Sequence, residues 1–195
     1  MTAVTGPAGS TAQRSGFAAW PVFGGLAALV LVADQLAKTW VDATFVLASP
    51  FAAPGAADAP TPVLGDLVRI AKSYNDGGIF GVAGDSALLL AFASLGVIAV
   101  IIVVQARQGR NDPLLTVALG LLLGGALGNL VDRLRFAHVI DFVDMGVGDT
   151  RWYTWNIADA AISVAIVLLL AHGLIGHRLG RWTAAGRAAA AERTH

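Results

Sequence analysis

The residues best suited to chemistry lie between Gly128 and Asp159. This stretch opens with Gly128-Asn129-Leu130-Val131-Asp132-Arg133, passes through Val139-Ile140-Asp141-Phe142 and closes with Asn156-Ile157-Ala158-Asp159. Apolar runs lie on either side of it, so its ionisable groups gather at one membrane face. Keeping such a group in or beside a span costs about 2.5–3.5 kcal/mol even on insertion scales, which makes each one a functional candidate. Asp141 and Asp159 can face each other across a short loop. Two carboxylates at close range cannot both ionise easily, so they share one proton and divide the acid and base roles. One removes a proton from water; the other, protonated, supports a carbonyl oxygen and then the leaving amine. The chain has no cysteine, which excludes a thiolate nucleophile, thiolate zinc sites and disulfides. His138, His172 and His177 lack metal-ligand spacing and no His-Glu-x-x-His occurs, so neither metal nor cofactor is expected.

Other polar groups compete for a role. Asp34 and Lys38 are four apart with the acid first, which puts them on one helix face as an ion pair or as a support for the site. Asp132 and Arg133, with Asn129 one turn earlier, read as a structural hydrogen-bonded cluster. In Asn75-Asp76-Gly77-Gly78-Ile79-Phe80-Gly81 the glycines allow positive φ and close backbone approach, as a hairpin turn or a binding loop. Gly146-Val147-Gly148-Asp149 mimics the Gly-x-Gly-Asp signature of presenilin-like intramembrane proteases. That signature belongs in an apolar span, whereas this copy sits in a polar loop between Asp144 and Arg151.

The elements that must position these groups are membrane spans. Of 195 residues 56% are hydrophobic and only 13% charged, with mean hydropathy +0.68, against about 25% charged for a soluble domain. Four apolar runs are long enough to cross a bilayer, at about Phe17–Trp40, Ser86–Val104, Pro113–Val131 and Trp155–Ile175. Arg14 ahead of the first run also resembles a leader, but Asp34, Gln35 and Lys38 stand where a small-residue cleavage site belongs. Residues 41 to about 84 form the long loop. Thr44–Leu47 and Leu67–Tyr74 are strand candidates in it, and the proline-rich Ser49–Pro62 reads as turns. Gly120, Gly124 and Gly128 recur every fourth residue of the third run, a seam for close helix packing.

Thirteen basic and thirteen acidic side chains give no net charge, so no nucleic-acid surface is implied. Arg107 and Arg110 in the turn after the second run, and the basic end of the chain, put both termini in the cytoplasm and the Asp141 loop outside. Arg69, Lys72, Arg133, Arg135 and Arg151 weigh against this orientation. A competing class is a small proton-coupled transporter subunit with Asp34, Lys38, Asp132 and Asp159 as a relay. A third is a non-catalytic scaffold built on the glycine seam.

Taken together, Asp34-x-x-x-Lys38, Asn75-x-Gly77 with Phe80, Gly124-x-x-x-Gly128-Asn129-x-x-Asp132-Arg133, Val139-x-Asp141-Phe142 and Asn156-x-Ala158-Asp159 resemble the lipoprotein signal peptidase (signal peptidase II) family in kind and order. The resemblance spans residues 34 to 159. It implies an all-α membrane protein of four transmembrane helices with a small extracytoplasmic β-cradle, and an aspartic endopeptidase with Asp141 and Asp159 as the catalytic pair. Asp34, Lys38, Asn75, Gly77, Asn129, Asp132, Arg133 and Asn156 would support the site or bind substrate. The implied substrate is a diacylglyceryl-modified prolipoprotein, cut before its lipidated cysteine by a monomer in the bacterial inner membrane. The domains expected are a disordered tail at 1–16, the peptidase at 17–176 and a basic cytoplasmic tail at 177–195. Gly77-Gly78-Ile79-Phe80 and Trp155 depart from the family pattern, as does the long insert at 49–62.

Overall fold

The computed structural model of the chain describes residues 19–49, 51–53, 55–77, 86–108 and 112–192. The expected tail at 1–16, along with Phe80 and Arg110, lies outside them. Among the described residues four helices are long and apolar enough to cross a membrane: α1 (Ala19–Thr44), α2 (Ser86–Gln108), α3 (Pro113–Phe136) and α4 (Ile157–Glu192). Helix α3 is central and packs on the other three. Its ends follow from local chemistry. Asp112 caps the start by accepting a hydrogen bond from Leu115 N at 2.9 Å, Pro113 takes the first turn, and Ala137 ends the helix in a left-handed conformation, φ 62°.

In lipid no hydrophobic force drives helices together, so close packing has to do so. A Cβ on Gly124 would lie 2.7 Å from Ala27 O in α1, and one on Gly125 would lie 2.5 Å from Ala158 O in α4. Glycine at both positions therefore sets how near α1 and α4 come to α3. Phe23 and Ala27 of α1, Ile101 of α2 and Leu115, Leu119 and Leu123 of α3 form the buried apolar core.

The sheet is antiparallel in the order β1-β2-β3-β4, comprising Thr61–Leu64, Val68–Asn75, Val139–Val147 and Thr150–Arg151. The expected strand at 67–74 is β2. Four expectations need correction. Thr44–Leu47 is no strand, because α1 runs to Thr44 and the next residues are irregular. Thr61 and Pro62 begin β1 in a stretch read as turns; as an edge strand β1 tolerates proline. Asp141 lies in β3 rather than in a loop, paired with Ser73 of β2. Helix α4 also continues to Glu192, past the expected end at Ile175. Asp144 holds the sheet from its buried side, accepting from Arg69 Nη2 at 2.6 Å and Arg151 Nε at 3.0 Å.

One backbone device brings the two ends of the site together. After β4 the chain turns back and Trp155 bridges to Val143 of β3, with Trp155 N donating to Val143 O at 3.1 Å and Val143 N to Trp155 O at 2.8 Å. The next residue is Asn156, and α4 begins after it.

Candidate active site

Asp159 is the third residue of α4, and Asn156 precedes the helix. Asp159 N donates to Asn156 Oδ1 at 2.9 Å, and Asn156 N donates back to Asp159 Oδ2 at 3.2 Å. This reciprocal capping box satisfies two backbone donors that the helix start leaves unpaired. The cap fixes the Asp159 rotamer, because one carboxylate oxygen is held by backbone. The other, Oδ1, accepts from Asn129 Nδ2 at 2.8 Å.

Asp141 is held in the same way from the sheet. Its Oδ1 accepts from Asn156 Nδ2 at 2.6 Å and its Oδ2 from Asn75 Nδ2 at 3.0 Å. Asn156 thus donates to both carboxylates, to Asp141 through its side chain and to Asp159 through its backbone. The Asn75 amide also closes a turn, since its Oδ1 accepts from Gly77 N at 3.0 Å. Gly77 sits at φ +77°, where a side chain is strained. Burial pushes the Asp141 carboxyl up to about 6; the Asn75 hydrogen bond draws it down and the charge of Asp159 raises it again. Such a group changes protonation near neutral pH, as an acid-base catalyst requires.

Both aspartates line an open cleft of about 920 Å³ together with Tyr74, Asn75, Trp155 and Ser163. Trp152 and Tyr153, at the rim, are 75% and 87% exposed. Asp34, Lys38, Asn129 and Asp132 lie buried behind the cleft. Lys38 Nζ contacts Asp34 Oδ2 at 2.8 Å, Asp132 Oδ2 at 2.9 Å and Asn129 Oδ1 at 3.0 Å. Asp132 and Arg133, with Asn129, are expected from sequence as one cluster; here Asn129 and Asp132 meet through Lys38. Arg133 is half-buried, donates to Asn129 O at 3.4 Å and lies in the field of Asp159, Asp141 and Asp132. Asp149, in the tight turn between β3 and β4, is exposed and lines no part of this cleft.

In sequence Gln35 counted only against a leader, although its Nε2 donates to Asp132 Oδ1 at 2.9 Å and Gly128 O at 3.2 Å. The available signal was an amide within an apolar span, which needs a partner as an acid does. Tyr74, Trp152 and Tyr153 were missed too. Aromatic residues beside a membrane face were the signal there.

Comparison with known proteins bears on residues 26–175, which match the model of the family described as signal peptidase (SPase) II. A lipoprotein signal peptidase of Burkholderia mallei (strain SAVP1) is 37% identical over 149 residues, 75% of this chain and 83% of that protein. One from Pseudomonas fluorescens (strain Pf0-1) is 38% identical over 150 residues, 74% of this chain and 82% of its own. In fold the chain is similar to a bacterial membrane enzyme solved at 1.9 Å, with TM-score 0.71 and 21% identity over 82% of this chain and 96% of that one.

Proposed function

Since the chain belongs to the signal peptidase II family, we propose that it removes signal peptides from prolipoproteins as an aspartic endopeptidase, with Asp141 and Asp159 as the catalytic pair. Asn156 is the observation that carries this reading: one residue holds both carboxylates on the wall of one open cleft. Of the pair, one carboxylate takes a proton from water as it attacks the scissile carbonyl. The other carries the shared proton, donates a hydrogen bond to the developing oxyanion and then protonates the leaving amine. Asn75, Asn129 and Asn156 keep the carboxylates in place without adding charge. The site is complete within one chain, which supports action as a monomer. The proton-coupled transporter reading finds no support, because the matched family and relatives are peptidases.

The substrate is proposed to carry a diacylglyceryl group on the cysteine that follows the cut. A lipid-held substrate presents its scissile bond at the interface, where the sheet meets α1 and α3. Purified protein incubated with lipidated prolipoprotein should release the signal peptide, seen as a gel shift. The same precursor without its lipid should be cut far more slowly, and equal cutting of both would remove the lipid from the proposal.

The pH dependence of kcat/KM should carry a limb near the value of about 6 given to Asp141 by burial. The Asn75 hydrogen bond favours the ionised carboxylate, so Asn75→Ala removes a stabiliser of the charged form and shifts that limb to higher pH. A limb that stays in place or moves down would separate Asn75 from the titrating group.

Both termini are proposed to face the cytoplasm and the cleft the opposite side. The cysteine-free chain permits a direct check with single cysteines at Gly55, Gln108 and Gly148 and an impermeant thiol reagent applied to intact cells. Gly55→Cys and Gly148→Cys should label and Gln108→Cys should not; the reverse pattern inverts the topology.

A further inference from the structure

We propose that Lys38 is a positioning residue that refers both aspartates of the cleft to a single buried point. The proposal rests on the assignment of Asp141 and Asp159 as the catalytic pair. Lys38 is 2% exposed and lines no part of their cleft, so it cannot touch substrate there. Its ammonium has three N–H donors, and three acceptors surround it: Asp34 Oδ2, Asp132 Oδ2 and Asn129 Oδ1. Each acceptor in turn holds one group of the site. Asp34 Oδ1 accepts from Ala158 N at 2.9 Å, beside Asp159 in the first turn of α4. Asp132 Oδ2 accepts from Ile140 N at 3.1 Å, beside Asp141 in β3. Asn129, with its oxygen turned toward Lys38, presents its NH₂ group to Asp159 Oδ1 at 2.8 Å.

The orientation of that amide matters most. A carboxamide has a donor end and an acceptor end, and only the donor end stabilises a carboxylate. An ammonium can never accept a hydrogen bond, so Lys38 enforces the orientation in which Asn129 donates to Asp159. Asn156 Nδ2, at 3.2 Å from the same oxygen, works in the same direction. Gln35 completes the frame by binding the second oxygen of Asp132. Among the described residues the only buried side-chain polar atom without a hydrogen-bond partner is Gln105 Oε1, on α2. No buried side-chain polar atom of the frame around Lys38 is therefore left unpaired.

A misplacement of about 1 Å at reacting groups can cost about 10²-fold in rate. The test measures kcat and KM for a lipidated prolipoprotein with full-length wild type, Lys38→Met, Asn129→Leu and the double variant, at matched amounts of folded protein. Lys38→Met should lower kcat about 10- to 100-fold with KM unchanged, because the cleft wall is intact. The double variant should be no slower than Lys38→Met alone, since Asn129 acts downstream of Lys38. Wild-type kcat in folded Lys38→Met, a loss seen only in KM, or losses that multiply would each overturn the proposal. If Lys38→Met does not fold, the neutralised set Asp34→Asn/Lys38→Met/Asp132→Asn is compared with Asp34→Asn/Asp132→Asn. The first should again turn over about tenfold more slowly, and equal kcat overturns the proposal. Asp141→Asn and Asp159→Asn run alongside. Inactivity of these two with a normal Lys38→Met removes only the inference, whereas normal turnover by either removes the assignment on which it rests.

Discussion

Asp141→Asn and Asp159→Asn are each expected to lower the initial rate of prolipoprotein cleavage by at least about 10²–10⁴-fold, the range for losing a positioned acid-base group. Asparagine keeps the size of either side chain and an oxygen that can still accept from its amide neighbours, so folding should survive. What disappears is the ability to exchange a proton. Because the pair is proposed to share one proton through a single cycle, the losses should not multiply. The double variant should be little slower than the worse single. Initial rates at matched folded protein decide the matter: near wild-type turnover by either single variant ends the assignment, and multiplying losses make the carboxylates independent.

The second large effect is expected from a single methyl group. A Cβ on Gly125 would stand 2.5 Å from Ala158 O and 2.7 Å from Ile162 Cγ1 of α4. The carbonyl cannot yield without moving the turn that carries Asp159. Gly125→Ala should therefore force α3 and α4 apart, at about 1–3 kcal/mol for overpacking a close-packed site. Cleavage should fall with it, because the hydrogen bond from Asn129 to Asp159 crosses the same interface. Gly96→Ala is the control. Nothing lies within 4 Å of a Cβ at Gly96 in α2, so alanine there should gain up to about 1 kcal/mol of helix propensity. Thermal unfolding in detergent compares the two, and a Gly125→Ala protein as stable as wild type would mean the interface is looser than its geometry indicates.

The spans were legible because bilayer thickness demands long apolar runs that nothing else in the chain imitates. Strand β2 was legible by its partial alternation. Strand β3 was not: Val139 to Phe142 are all buried, including Asp141, so one-sided alternation is absent, and its two aspartates are residues depleted in strands. The irregularity in pairing between Ile70 and Ser73 is equally invisible in sequence. Asn156-x-x-Asp159 has the spacing of a capping box, yet the sequence reading took Asp159 as a catalytic carboxylate and left the cap unread. The proximity of Asp141 to Asp159 depends on the bridge between Val143 and Trp155. A backbone pairing of that kind leaves no side-chain pattern to read.

Every hydrogen bond seen on the two carboxylates, among the described residues, comes from an amide: the side chains of Asn75, Asn129 and Asn156 and the backbone N–H of Asn156. Asparagine is among the residues that heat degrades, and its hydrolysis to aspartate turns a donor into a charged acceptor. At any of the three positions that change would set a third negative charge against the pair. Asn129 and Asn156 are followed by Leu130 and Ile157 at the start or in the body of a helix, and both are buried, which slows the ring closure that deamidation requires. Asn75 is exposed at the end of β2 and followed by Asp76. Of the three amides that hold the pair, Asn75 is therefore the one most open to chemical ageing on storage or heating.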